Sequence, residues 1–285
     1  MYISSMLKSE KTLFSCEIFP PKQGGELNNA FQLIDEISDI RPDFISVTCG
    51  AAGNTAGLTQ EIAQHIEGNG VTALAHLTRL SALSVPIEDI IKGLRDSGVT
   101  NILALRGDIP KDSAYTAHQV GQASDLVETI RELGDFCIGA ACYPDGHVES
   151  QSQQQDIRYL KMKVDSGCDF LITQMFFDND QFYRFKAMAL ENGITVPLLA
   201  GIMPVTSRKQ IRRLVEISGT PMPPRLRIMI DRYGDNPRSM AQAGVLYACE
   251  QILDLVANGV RGIHLYTMNH PEIARRIREY LRDIL

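Results

Sequence analysis

Glu17 is the residue near the start of the chain whose surroundings most favour chemistry. It lies in the run 14–19, where most of its neighbours are apolar. Burial favours the protonated form of a carboxyl group, so a carboxyl here is suited to proton delivery near neutral pH. A buried ion pair, for example with an arginine, explains the same residue equally well. Both interpretations stay open from this residue alone.

Arg106, Gly107 and Asp108 follow a later apolar run and form a second candidate group. An arginine can hold a phosphate with paired hydrogen bonds, and a glycine lets a ligand approach the backbone closely. An aspartate beside them can face an electron-poor ring or a developing cation. Taken locally, a strand-end turn with a salt-bridged arginine is the simpler interpretation.

Polar side chains also stand in or after other apolar runs. His76 lies in such a run, where a lone histidine is more often a hydrogen-bonded core residue than a base. No second histidine stands at metal-binding spacing, so we predict no metal site. Tyr143 and Gln174 would suit a planar heterocycle that needs both stacking and hydrogen bonds. Lys163 follows Asp156 in a helical pattern, where a solvated helix face is the ordinary interpretation.

These residues need a scaffold that brings the ends of several strands together. Eight short runs rich in apolar and β-branched residues recur along the chain, and seven of them end in polar residues. Their nearly continuous apolar character is typical of parallel strands buried on both faces. We predict strands at residues 13–19, 43–49, 71–77, 101–106, 137–142, 170–176, 197–203 and 262–267.

Helical patterns fill the gaps between these runs. We predict helices at residues 26–40, 86–96, 124–133, 156–165, 181–191 and 207–217. Five of them are followed by a glycine, which is common where helices end. Two further helical stretches, at 224–233 and 237–258, lie in an insertion at about 220–260 that interrupts the repeat before the eighth strand.

Eight β-then-α units in 285 residues predict an α/β fold, a (β/α)8 TIM barrel that forms a single domain over residues 1–285. The alternative is an open doubly wound sheet. Such a sheet usually carries a glycine-rich phosphate motif after its first strand, and this chain has neither that motif nor a Walker A sequence. Because a barrel enzyme places its active site at the carboxyl ends of its strands, the polar strand ends are expected to converge there.

The composition argues against several classes of protein. Lys and Arg number 28 against 34 Asp and Glu, so the net charge of −6 argues against nucleic-acid binding. No apolar run is long enough to span a bilayer, and residues 1–11 lack the apolar core of a signal peptide. The six cysteines show no C-x-x-C spacing, which favours buried thiols in a reducing cytoplasm.

The candidate residues lie in segments that together resemble the bacterial, FAD-dependent type of methylenetetrahydrofolate reductase. Residues 15–21 resemble the family's S-x-E-F-F-P-P, residues 46–51 its S-V-T-x-G-A, and residues 75–78 its H-L-T. Residues 105–110 resemble L-R-G-D-x-P, 141–147 A-x-Y-P-x-x-H, 172–178 I-T-Q-x-F-F-D, and 201–205 G-I-x-P-V. Each match is weak alone, but their ordered occurrence along nearly the whole chain is specific.

The resemblance implies FAD as cofactor, 5,10-methylenetetrahydrofolate as substrate and 5-methyltetrahydrofolate, a methyl donor for methionine synthesis, as product. Glu17 is then the acid that protonates folate N10 and opens the imidazolidine ring, and Asp108 is the carboxylate beside the flavin. Reduced flavin passes a hydride to the exocyclic methylene. Gln174, Glu17 and His270 take substrate-binding positions. The residues expected at FAD are Thr48, His76, Arg106, Gly107, Asp108, Ala141, Tyr143, His147, Asp156 and Lys163, with Arg106 and Lys163 as phosphate partners.

Four residues depart from the family pattern. Gln122 stands where a tyrosine is common, Tyr159 replaces an asparagine, and His270 replaces an arginine that contacts substrate. Leu214 stands where some members have a phenylalanine that stacks on nicotinamide or folate. The loss of that aromatic leaves the electron donor open between NAD(P)H and an electron-transfer partner protein.

Two other functions stay open at this stage. A barrel enzyme with different chemistry, such as an aldolase or a phosphate-sugar isomerase, would be favoured by a Schiff-base lysine on an inner strand, but the eight predicted strands contain none. A non-catalytic flavin- or folate-binding subunit of a larger complex is the third possibility. Since related bacterial enzymes form homo-oligomers, we expect a cytoplasmic homo-oligomer with no nucleic-acid or membrane partner.

Overall fold

A closed parallel barrel forms the centre of the molecule. The computed structural model describes residues 1–21, 27–49, 56–83, 85–107 and 117–285. Within these ranges each strand pairs with the next in the sequence, and the eighth pairs with the first. The strands are β1 (Leu13–Ile18), β2 (Phe44–Val47), β3 (Thr72–Thr78), β4 (Asn101–Leu105), β5 (Cys137–Cys142), β6 (Phe170–Thr173), β7 (Leu198–Ile202) and β8 (Gly262–Tyr266). The predicted barrel is therefore confirmed, and each predicted run overlaps one strand.

Helices alternate with the strands and surround the barrel. They are α1 (Ile3–Met6), α2 (Leu27–Ser38), α3 (Ala56–Gly68), α4 (Ile87–Asp96), α5 (Ala117–Val120), α6 (Ala123–Leu133), α7 (Gln153–Asp165), α8 (Asn179–Glu191), α9 (Arg208–Ser218), α10 (Pro224–Tyr233), α11 (Pro237–Ala257) and α12 (Pro271–Tyr280). The sequence patterns did not identify α1, α3, α5 or α12. Helices α1 and α5 have only four residues each, too few to show a helical period.

Helices α10 and α11 form the predicted insertion before β8. Each begins with a proline in its first turn, where the missing N–H costs nothing. Asn236 caps α11 by accepting hydrogen bonds from the backbone N–H groups of Arg238 and Ser239, each at 3.1 Å. Leu226 and Ile230 of α10 join an apolar cluster that includes Phe177, Met203 and Met240. The insertion is thus packed against residues that follow β6 and β7.

The barrel interior is layered because alternate residues of each strand point inward. The layer nearest the amino ends is apolar and consists mainly of Leu13, Phe44, Leu74, Leu103, Cys137, Phe170 and Leu199. One level further toward the carboxyl ends, the inward positions of β1, β2, β3 and β8 are polar. Ser15, Ser46, His76 and His264 occupy this next level, and each is buried. The polar level lies directly beneath the carboxyl ends of the strands.

Helix α1 closes the amino-terminal end of the barrel. Ile3 is fully buried and belongs to the apolar layer at that end. Its backbone N–H donates to Oδ1 of Asn101 at 2.8 Å, and Nδ2 of Asn101 donates to the carbonyl of Met1 at 2.9 Å. Asn101 is itself fully buried at the start of β4. One amide side chain therefore anchors α1 to the barrel.

Two expectations from the composition also bear on the fold. All six cysteines are free thiols, and Cys16, Cys137, Cys142 and Cys168 are buried, as the sequence pattern predicts. In the ranges that the structure describes, no helix has both the length and the apolar character needed to cross a membrane.

Candidate active site

Two connected cavities open at the carboxyl ends of the strands. The central cavity, of about 450 Å³, is lined by residues from all eight strands or the loops that follow them. These include Glu17, Thr48, His76, Arg106, Gly107, Ala141, Tyr143, His147, Gln174, Met203 and Tyr266. The side cavity, of about 410 Å³, shares Arg106, Ala141, Tyr143 and His147 and adds Gln122, Asp156, Tyr159 and Lys163. Together they form an elongated cleft of the kind that could hold an extended cofactor.

This cleft brings together most of the residues predicted from the sequence. Of the predicted site residues that the structure describes, only His270 is not found there. Asp108 lies outside the described residues. His270 is exposed, precedes α12, and hydrogen-bonds to Oε1 of Glu272 through Nδ1 at 3.0 Å. His270 does not line either cavity.

Glu17 lies at the inner end of the central cavity, and its side chain is only 10% exposed. Its Oε2 atom lies 3.5 Å from Nε2 of His264 and 3.5 Å from Nε2 of His76. Its backbone carbonyl accepts a hydrogen bond of 2.6 Å from the hydroxyl of Thr267. No arginine or lysine among the described residues forms an ion pair with Glu17. The structural alternative of an arginine pair is therefore not supported in these ranges, and two imidazoles take that place.

His76 offers an unused nitrogen to the central cavity. Its side chain is 6% exposed, and Nε2 has no hydrogen-bond partner among the described residues. Burial lowers the pKa of His76 to about 4, although the Glu17 carboxylate acts in the opposite direction. The ring is therefore neutral at physiological pH. An unpartnered polar atom in a buried position is costly, and it is a reason to expect a ligand there.

His264 was not identified as a site residue from the sequence. It is fully buried, and its Nδ1 lies 2.8 Å from the Ser15 hydroxyl. Its Nε2 lies 3.3 Å from the Ser46 hydroxyl and within 3.5 Å of Glu17 Oε2. The available signal was a histidine placed two residues before Tyr266 in an apolar strand, which puts both on one inward face. A lone core histidine is common enough that this signal was passed over.

Gly107 and Arg106 shape the junction of the two cavities. Gly107 has φ +89°, and a Cβ there would lie 3.1 Å from Cβ of both Thr78 and Leu80. A side chain at this position would be strained and crowded, so glycine keeps the junction open. Arg106 makes a two-point contact with the carboxylate of Glu149, at 2.6 Å and 2.9 Å. The guanidinium thus already holds an anion, as a phosphate-binding arginine would.

Lys163 and Asp156 lie on one side of α7 that faces the side cavity. Lys163 is not on a solvated face: its Nζ donates to the carbonyl of Ala141 at 2.8 Å, and burial lowers its pKa. Asp156 accepts a hydrogen bond of 2.9 Å from the hydroxyl of Ser150.

Tyr143 and His147 meet edge to face, with ring centroids 4.7 Å apart. Since burial and the Arg106 charge both lower the pKa of His147, the positive charge of the cleft comes from Arg106 and Lys163.

Comparison with known proteins decides which family has this arrangement. A sequence model described as methylenetetrahydrofolate reductase matches residues 2–282. The 5,10-methylenetetrahydrofolate reductase of Escherichia coli is 34% identical over 264 residues, which cover 92% of this chain and 88% of that protein. The chain belongs to the methylenetetrahydrofolate reductase family.

A plant relative agrees with this family membership. Methylenetetrahydrofolate reductase (NADH) 1 of Arabidopsis thaliana is 35% identical over 284 residues, or 94% of this chain and 48% of that protein. The chain thus spans about half the length of this plant relative. Among solved structures, an uncharacterized protein from Clostridium thermocellum that binds two copies of 5-methyl-5,6,7,8-tetrahydrofolic acid superposes with a TM-score of 0.67. It covers 100% of both chains at 13% identity, which supports the barrel fold alone.

Residues that depart from the pattern of methylenetetrahydrofolate reductases line the cleft, with the exception of His270. Leu214 of α9 lines the central cavity, and Gln122 and Tyr159 line the side cavity. Gln174 also faces the central cavity, where its Oε1 accepts a hydrogen bond of 2.9 Å from the backbone N–H of Met175. The Gln174 amide group can still donate toward the cavity, as a contact for a heterocycle requires.

Proposed function

We propose that this protein reduces 5,10-methylenetetrahydrofolate to 5-methyltetrahydrofolate with FAD as a bound cofactor. The observation that carries the proposal is the position of Glu17. A buried carboxyl group at the inner end of an open cleft, flanked by two imidazoles, is suited to deliver a proton to a bound substrate. Membership of the methylenetetrahydrofolate reductase family names the substrate.

The chain's own residues fit a flavin nucleotide. The unpartnered Nε2 of His76 and the open junction at Gly107 lie in the central cavity. Arg106 and Lys163 supply positive charge along the cleft, which suits the diphosphate of FAD in the absence of a glycine-rich loop. Thr48, Asp108, Ala141, Tyr143, His147 and Asp156 complete the proposed FAD site. When bound, FAD supplies the hydride that reduces the methylene group.

Glu17 supplies the proton in this proposal. It protonates N10 of the folate, which opens the five-membered ring and leaves a cationic methylene group on the other nitrogen. Asp108, proposed to lie beside the flavin, stabilises this cation electrostatically. Gln174 donates a hydrogen bond to the pterin, and His270 contacts the more exposed part of the substrate. Leu214, Met203 and Leu105 form apolar walls of the cavity in which the reacting atoms would lie.

The electron donor is proposed to be NADH, in line with the name of the Arabidopsis relative. Leu214 supplies contact area but no aromatic ring at the cavity wall, so nicotinamide would bind there without aromatic stacking on this side chain. An electron-transfer partner protein is the alternative donor. A homo-oligomeric assembly and a cytoplasmic location remain predictions.

The first experiment is an absorbance spectrum of the purified protein, followed by anaerobic addition of NADH. A flavin spectrum that NADH bleaches and methylenetetrahydrofolate restores would support a reductase that takes electrons directly from NADH. A flavin that only dithionite bleaches, and that methylenetetrahydrofolate then restores, would point to a partner protein as donor. A flavin that folate never reoxidises would favour a non-catalytic subunit. Absence of flavin after reconstitution with FAD would contradict the proposal.

A further inference from the structure

The polar level beneath the cavity contains a continuous set of contacts from Ser15 to Glu17. The Ser15 hydroxyl lies 3.1 Å from the backbone carbonyl of Ile263 and 2.8 Å from Nδ1 of His264. On the other side of the imidazole, Nε2 lies 3.5 Å from Glu17 Oε2. Ser15 and His264 are fully buried, and His264 does not line the cavity. His264 therefore reaches a ligand only through Glu17.

The contacts of Ser15 fix the position of the ring proton. A hydroxyl group has one hydrogen, and a carbonyl oxygen can only accept. The Ser15 hydroxyl must therefore donate to Ile263 and accept from His264, which places a proton on Nδ1. In the neutral ring, Nε2 is then an acceptor that faces both the Ser46 hydroxyl at 3.3 Å and Glu17 Oε2 at 3.5 Å. Two unprotonated atoms that face each other repel, whereas a proton between Oε2 and Nε2 would join them in a hydrogen bond.

We propose that His264 is a positioning residue for Glu17, which holds the carboxyl proton between Oε2 and Nε2 until a substrate is bound. The inference rests on the proposed function of Glu17 as proton donor. No described residue hydrogen-bonds to Oε1 of Glu17, so this oxygen is left to the cavity. Rotation about the soft Cγ–Cδ bond exchanges the two oxygens and presents the proton to the substrate.

The proton balance of this step is simple. One proton leaves the Glu17–His264 pair and binds the substrate nitrogen, no electrons are transferred, and Glu17 is left as a carboxylate beside a neutral His264. The pair regains a proton from solvent through the open cavity, because His264 has no exposed surface of its own.

The other groups packed around His264 do not change their protonation state near neutral pH. From β3, His76 faces Glu17, and burial lowers its pKa to about 4. From β8, the ring of Tyr266 lies 5.5 Å from that of His264, and burial raises its pKa well above the usual value. The neighbours from β2, Phe44 and Ser46, do not ionise near neutral pH. Neither His76 nor Tyr266 changes its protonation state between pH 6 and 9.

The test is an infrared pH titration of the purified holoprotein. The stretching band of the protonated Glu17 carboxyl is identified as the band that Glu17→Gln removes. In His264→Asn, which keeps a donor near Ser15 but loses Nε2, we expect this band to vanish at a pH lower by about one unit or more. His264→Gln restores an acceptor near the former Nε2 and should retain most of the wild-type titration. Ser15→Ala, a milder change, should shift the band in the same direction by less.

A kinetic measurement gives the second readout. The rate at which methylenetetrahydrofolate reoxidises chemically reduced flavin should begin its alkaline fall at lower pH in His264→Asn, with FAD still bound. A uniform decrease at every pH, or an unshifted band in both His264→Asn and Ser15→Ala, would overturn the inference. A shifted band in a protein that never turns over folate would support the shared proton but contradict the proposed function, so the two failures are distinguishable.

Discussion

Glu17 is the only carboxyl group among the described residues that line the central cavity. We predict that Glu17→Gln lowers the rate of folate-dependent flavin reoxidation by about 100-fold or more, the usual contribution of a general acid. FAD should stay bound, because the amide keeps the shape of the side chain. Stopped-flow absorbance at the flavin band measures the rate. Glu279→Gln, an exposed change on α12, is the matched control and should be neutral; full folate reduction in Glu17→Gln would exclude the proton-donor role.

The Glu149 carboxylate accepts two hydrogen bonds from the guanidinium of Arg106. We assign the same guanidinium to a cofactor phosphate. The carboxylate must leave before a phosphate can bind, and an exposed ion pair of this kind costs about 1 kcal/mol or less to break. We therefore predict that Glu149→Gln tightens FAD binding by up to about fivefold. Quenching of FAD fluorescence during titration of the FAD-free protein measures the dissociation constant.

The control for this prediction is Glu250→Gln. Glu250 pairs with Arg225 on a different surface, at an exposed position. Its substitution should leave FAD affinity unchanged. Weaker FAD binding in Glu149→Gln would instead identify Glu149 as a cofactor contact.

Individual site residues differ in how far the sequence could identify them. Glu17 was recognisable because a carboxyl group in an apolar strand is rare and expensive. Lys163 was not, since a lysine in a helix is usually solvated, and only tertiary contact shows its burial against Ala141. His264 required knowledge that β8 pairs with β1, which sets Ser15 opposite His264. Pairing between residues this far apart in the sequence is set by barrel closure and not by local pattern.

At the scale of elements, Asn101 connects α1, β3 and β4 through one amide group. It accepts from Ile3 N–H and donates to the carbonyls of Met1 and Ala73, all in buried or half-buried surroundings. We predict that Asn101→Ala lowers the free energy of unfolding by about 2–4 kcal/mol, because it leaves buried polar groups unpaired. Urea denaturation followed by circular dichroism measures the loss.

Asn192→Ala provides the comparison for Asn101→Ala. The Asn192 amide is exposed at the end of α8, and among the described residues it donates only to the carbonyl of Met188. Its removal should cost less than about 1 kcal/mol. Equal losses in both variants would show that α1 is not held to the barrel by Asn101.

The strands were easier to predict than the helices for a physical reason. Strands of a parallel barrel are covered on both faces, so their apolar runs are nearly continuous and stand out from the flanking turns. Helix α3 has apolar residues at Leu58, Ile62 and Ile66, a spacing that could have indicated it. The extra helices α10 and α11 were identified because prolines mark their starts.

At the scale of the whole molecule, the neutral His76 couples stability to pH. Its pKa is about 4 in the folded protein, against an ordinary value of 6.5. Below pH 6.5 the unfolded chain binds a proton that the folded chain does not bind, so the free energy of unfolding decreases as the pH drops toward 4. The shift corresponds to about 3 kcal/mol at most. Urea unfolding of the FAD-free protein at a series of pH values measures this slope.

His76→Asn isolates the effect, because other groups titrate in the same range. Burial raises the pKa of Asp145 to about 6, which makes the folded state more stable as the pH falls and so opposes His76. The difference in slope between the wild type and His76→Asn removes this contribution. Identical slopes in the two proteins would show that folding does not lower the pKa of His76.

The pairing of β1 with β8 also governs when the site can come into being. Ser15 and His264 are separated by 249 positions, and Glu17 and His264 by 247. In a nascent chain that has not yet produced β8, Glu17 lacks His264 and the barrel cannot close. Contacts of such long range form late, since loop closure must precede them. The appearance of catalytic activity therefore marks the last stage of folding. A partly folded or truncated chain would have the strands that face the cofactor but would lack His264, which holds the Glu17 proton.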